Sequence, residues 1–185
     1  MELMDAIRQR RAVRSYTAEG VSEAALRRLI EAAIWAPSAT NEQPWVFTIV
    51  EKQDLIEAIS ASVKVYMRDR AGKGMPSRLA KQLADPDFQI FHHAPALVVI
   101  STDCLTAWAI EDCSLAAENF MLAACAEGLG TCWVGIAEEW IGTQEGRDML
   151  GLAPGCIPVA PIIVGHPAET PATVRRREPQ IRWIT

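Results

Sequence analysis

Five apolar residues in a row, Ala96-Leu97-Val98-Val99-Ile100, are followed closely by a helical stretch, 105–127, that is apolar around most of its circumference. A strand with no polar alternation is buried on both faces, and a helix with no continuous polar face is central. The rest of the chain therefore has to cover both sides of a sheet. Glu111, Asp112 and Glu118 lie inside the helical stretch and exclude a membrane span. At 185 residues, half of them hydrophobic, the chain holds one domain over residues 1–185 with ample material for a core.

Around this centre the pattern predicts an α+β order. A short helix over 2–11 carries Leu3, Met4 and Ile7 on one face. Ser22 caps a second helix whose Leu26, Leu29, Ile30, Ala33 and Ile34 keep helical spacing up to Pro37. A strand over 44–50 and a helix over 53–62 follow. Gly128 and Gly130 end the central helix. A strand over 131–136, a helix over 138–150 and a strand over 159–164 complete the order, with Pro161 pointing to an edge or an irregular start. Residues 65–93 mix charges with Gly72, Gly74, Pro76 and Pro86, which suits a mobile cover over a pocket. Residues 168–185 read as a basic, extended tail.

Charge and cysteine usage narrow the classes of partner. A net charge of −5 argues against a nucleic-acid surface, while arginines clump at Arg8, Arg10, Arg11 and Arg14 and again at Arg175, Arg176, Arg177 and Arg182. Local clusters in an acidic chain suit a small anion. The five cysteines form no CxxC pair, so neither a metal centre nor a disulfide framework is expected; the chain reads as reduced and cytoplasmic. No signal peptide opens it. His92 and His93 are adjacent and, in extended chain, would point to opposite sides with no third ligand in view.

Three stretches carry possible chemistry. Pro37-Ser38-Ala39-Thr40-Asn41-Glu42-Gln43-Pro44-Trp45 is a polar, uncharged connector pinned by proline at both ends. It could hold a ligand or simply be a capped helix exit. The arginines at 10, 11 and 14 could grip a phosphate or form a solvated helix end. Gly128-x-Gly130-x-x-Trp133 imitates a dinucleotide fingerprint, but the glycines follow a helix and the third position is Trp, so a Rossmann site is rejected. No Ser/His/Asp set or carboxylate pair stands at a useful spacing, and no catalytic side chain is named.

Taken together, Arg10-Arg11-Ala12-Val13-Arg14-Ser15-Tyr16, the Pro37–Trp45 connector, Gly128–Gly135 and Ile163-Val164-Gly165-His166-Pro167 resemble, in order, the FMN-dependent nitroreductase family. The resemblance implies a mixed central sheet flanked by helices in an intertwined homodimer, with FMN sites at the interface. It implies hydride transfer from NADH or NADPH through flavin N5 to small organic acceptors such as nitroaromatics, quinones or enones, by a ping-pong mechanism. Arg10 and Arg11 would serve the phosphate and ribityl end, with Ala12 offering its backbone and Arg14 lying near the pyrimidine edge. Trp133, Val134 and Gly135 would lie beside N5 through their backbones. Pro37, Ser38, Ala39 and Asn41 would reach the flavin from the partner subunit. Arg175 and Arg177 match a late, phosphate-directed pair. The alternatives are a flavin-cleaving or reductively dehalogenating relative, and a flavin-binding module without turnover.

Overall fold

The computed structural model describes residues 1–70, 75–104 and 106–185. Helix α1 spans Leu3–Gln9 and α2 spans Glu23–Ala33, capped by Ser22, whose hydroxyl accepts the Ala25 N–H at 3.2 Å. A single turn at Ala39–Asn41 leads to strand β1, Trp45–Val50. Helices α3 (Gln53–Asp69) and α4 (Ser77–Ala84) precede β2, Ala96–Thr102. The central helix α5 (Ala109–Ala126) runs into β3 (Gly130–Trp133); α6 (Glu138–Ile141), α7 (Gln144–Leu150) and β4 (Ile157–Gly165) follow. After Pro167 the chain forms no helix or strand and is mostly exposed.

The strands lie in the order β1-β2-β4-β3. All three ladders are antiparallel, which corrects the expectation of a mixed sheet; among the described residues parallel pairing is confined to the bridge between Ala12 and Thr131. Every residue of β2 is buried. Its side chains alternate between two cores, because successive residues of a strand face opposite ways. Ala96, Val98 and Ile100 join α2 and α5 in one core; Leu97 and Val99 join Ile56, Ile59 and Val63 of α3 and Trp140 and Ile141 of α6 in the other. The sheet is thus sandwiched between helical layers. Among the described residues no helix is long and apolar enough to cross a membrane.

Several boundaries differ from the sequence reading. Helix α3 runs on to Asp69, because Tyr66 and Met67 continue the apolar face begun by Ile56, Ile59 and Val63. The helix expected over 138–150 breaks in two, where the Thr143 hydroxyl caps α7 by accepting the Gly146 N–H at 3.2 Å. The strand expected over 131–136 stops at Trp133 and turns at Gly135. Strand β4 is internal, so Pro161 does not mark an edge. A bulge absorbs the irregularity: Ile100 pairs with Ala160 and Ser101 with Pro158, leaving Val159 without a partner on β2. The Pro161 carbonyl still accepts the Val134 N–H at 2.8 Å.

Candidate functional site

Residues 10–16 are laid along β3 and the C-terminal end of β4. The Val13 N–H donates to the Thr131 carbonyl at 2.9 Å, and the Thr17 N–H to that of His166 at 2.9 Å. The Tyr16 hydroxyl donates to the Val13 carbonyl at 2.7 Å and stiffens the bend between them. The close approach needs Gly130: a Cβ there would stand 2.7 Å from Val13 Cγ2. This seating projects Arg14 into a cleft of about 320 Å³. Trp133, Val134 and Gly135 form part of its wall, with Gly135 exposed and its flank open. Arg14 and the 133–135 segment, singled out separately in the sequence, are therefore brought together.

The opposite wall comes from the expected cover. Arg78, Leu79 and Gln82 of α4, with Phe88 and His92, line the same cleft. Leu79 and the buried Leu83 anchor α4 to the core beneath it. His92 and His93 are not extended, as assumed above, but both left-handed, with φ of 52° and 54°. This conformation is uncommon for residues other than glycine. It sends His93 outward to Glu57, 2.8 Å away, and leaves His92 half-buried at the cleft with its ring edge-on to Phe88. Burial, then the charge of Arg14, then that of His93 hold the His92 pKa below 6.5. Burial also raises the Cys132 thiol pKa, with Arg14 opposing. A thiol so placed stays protonated and is no nucleophile. Sequence reasoning weighed His92 only as a metal ligand or catalytic group and did not place it, Arg78 or Gln82 at this cleft; the arginine-glutamine spacing of one helical turn on α4 was the available signal.

The remaining basic residues have distinct settings. Arg11 donates to the carbonyls of Arg8 at 2.6 Å, Arg10 at 2.7 Å and Ala172 at 3.3 Å. It thereby ties the tail to the N-terminal segment, and the Ala168 N–H donates to the Ser15 carbonyl at 3.0 Å. Arg11, Ala12 and Arg14 also line a hollow of about 380 Å³ beneath that tail. Arg10 Nε lies 3.2 Å from a Glu118 carboxylate oxygen, yet it is buried and makes no hydrogen bond. Arg175 and Arg177 line a separate hollow formed by the tail alone and are not brought to Arg14.

The connector takes a constrained form. Thr40, Asn41 and Gln43 all have positive φ, between 51° and 58°. The Ser38 hydroxyl accepts the Gln43 N–H at 3.0 Å, and the buried Asp112 of α5 accepts the Ala39 N–H at 3.1 Å. Pro37, Ser38, Ala39 and Asn41 do not line the Arg14 cleft of their own chain. The exposed and unpartnered features suit a flat, anionic ligand. Arg14 has no acidic partner among the described residues, and the lining of its cleft holds neither Asp nor Glu. Among the described residues no cluster of metal-ligating side chains is present.

Comparison with known proteins follows the same line. The profile of the Nitroreductase family matches residues 7–166. A protein of Methanothermobacter thermautotrophicus, provisionally named NADH dehydrogenase/NAD(P)H nitroreductase, is 27% identical over 177 residues, covering 94% of this chain and 81% of its own. The crystal structure of a nitroreductase with bound FMN from Bacteroides fragilis superposes with a TM-score of 0.82 at 26% identity, covering 100% of this chain and 98% of that one. An iodotyrosine deiodinase bound to FMN and 3-iodo-L-tyrosine shares the fold, with a TM-score of 0.80 at 23% identity and 100% of both chains covered.

Proposed function

The chain belongs to the nitroreductase family, and from that premise we propose that it is an FMN-dependent oxidoreductase that takes hydride from NADH or NADPH and delivers it to a small organic acceptor, a nitroaromatic, quinone or enone. Bound FMN supplies the chemistry, accepting and returning hydride at N5. Arg14 places a cation by the pyrimidine edge, where it favours the reduced, negatively charged ring. The backbones of Trp133, Val134 and Gly135 flank the reacting side. Arg10, Arg11 and Ala12 serve the ribityl and phosphate end, joined by Arg175 and Arg177 of the tail. Pro37, Ser38, Ala39 and Asn41 close the site from the second subunit of a homodimer. A cleft that takes donor and acceptor in turn gives ping-pong kinetics.

The observation that carries this reading is the meeting of Arg14 with the open 133–135 segment in a cleft without acidic lining. The test is the visible spectrum of the purified protein. A yellow protein that releases about one FMN per chain and is bleached by NADH or NADPH meets the expectation; a colourless protein that fails to take up added FMN overturns it. Bleaching separates an enzyme from a flavin-binding module. Product analysis separates the generalist from a flavin-cleaving or dehalogenating relative.

A further inference from the structure

Arg78 has no role in the reading above. It is the first charged residue of α4, exposed, and among the described residues it has no acidic partner. Gln82 stands one helical turn on and lines the same wall. Leu79 and Leu83, the other members of this face, are spent on the core. Across the cleft Arg14 supplies the second cation, and no carboxylate lines the space between the two walls. His92 adds a hydrogen-bonding edge without a charge, since burial keeps its imidazole neutral. Phe88 and Ile90 add apolar surface. The cleft therefore holds more positive charge than a single cofactor anchor accounts for, and the surplus sits on the cover, facing whatever enters last.

We propose that Arg78, with Gln82 beside it, reads an anionic group, a carboxylate or phosphate, on the small molecule that enters the cleft above the cofactor. This assignment rests on the flavin reading, which gives Arg14 to the cofactor and leaves Arg78 for the transient ligand. A guanidinium fork and a neighbouring amide together match two oxygens of one such group. The anion has two possible sources: a carboxylate on the acceptor, or the 2′-phosphate that distinguishes NADPH from NADH.

Two matched pairs of substrates test it on the FMN-loaded enzyme: 4-nitrobenzoate against its neutral methyl ester, and NADPH against NADH. In at least one pair the anionic member is preferred in kcat/KM, and Arg78→Gln lowers that preference about tenfold. Arg78→Lys, which keeps the charge, retains a larger part of it. If the acceptor pair responds, titration of oxidised enzyme with 4-nitrobenzoate shows the same loss in affinity; if the donor pair responds, the phosphate is the group read. Substitution that leaves both ratios within twofold, in enzyme that still carries FMN and turns over the ester, overturns the inference alone. A wild-type protein without FMN and without turnover overturns the flavin reading instead, and this inference with it.

Discussion

Arg14 is exposed at the mouth of the cleft and is held there by backbone contacts of its neighbours rather than by an acidic partner of its own. Its charge is therefore available to a ligand. Arg14→Ala is expected to weaken FMN retention about tenfold and to lower the flavin potential, read from FMN occupancy and a redox titration. An unchanged potential at full occupancy would remove Arg14 from the site. His92 makes a prediction of opposite kind. The unfolded chain takes a proton on this imidazole near pH 6.5, and the folded chain does so only at lower pH. Across that window the folded state binds fewer protons, so the contribution present above pH 6.5 is lost as the pH falls through the folded value. His92→Gln should flatten the decline of the urea midpoint between about pH 7 and 5. A wild-type slope in the variant would assign the acid sensitivity elsewhere.

At the level of elements, the parts legible in the sequence were those whose pattern matches their own burial. Ala96–Ile100 announces a doubly buried strand because no polar residue interrupts it, and Ser22 announces a helix start because its hydroxyl has one obvious use. What stayed hidden depends on distant contacts. The polar end of α3 resembles a loop until Tyr66 and Met67 are seen against the second core. Strand direction has no local signature, and Pro161 fits inside the sheet because its backbone N faces β3 where that ladder has ended, at Trp133 opposite Ile162. Of the cleft lining, motifs singled out Arg14 and Trp133–Gly135, whereas Arg78 and His92 reach the cleft by the packing of α4 and by two left-handed residues. The cover gives its own prediction. Replacing Ser77–Ala84 with a short glycine-serine linker should change the order of preferred acceptors more than FMN affinity, measured by steady-state kinetics and equilibrium dialysis. Loss of FMN with an unaltered acceptor order would show that α4 supports the cofactor rather than the acceptor.

For the whole molecule, the single chain leaves apolar side chains in the open on several elements. Leu3, Met4 and Ile7 of α1, Ile110 and Leu115 of α5 and Trp183 in the tail are exposed. Apolar residues on the flank of an otherwise central helix fit a second subunit better than water. Sedimentation is expected to give twice the chain mass of 20.3 kDa, and Ile110→Glu should shift the protein to monomer with loss of bound FMN and a fall in melting temperature. A variant that stays dimeric and yellow would place the interface elsewhere. The seating of residues 10–16 also has a bearing on synthesis. The arginine-bearing segment is synthesised more than a hundred residues ahead of the strand that it lies along, which begins at Gly130, and of its second anchor, Pro167. A nascent chain that has not reached Gly130 would display the basic segment without the backbone partners that seat it.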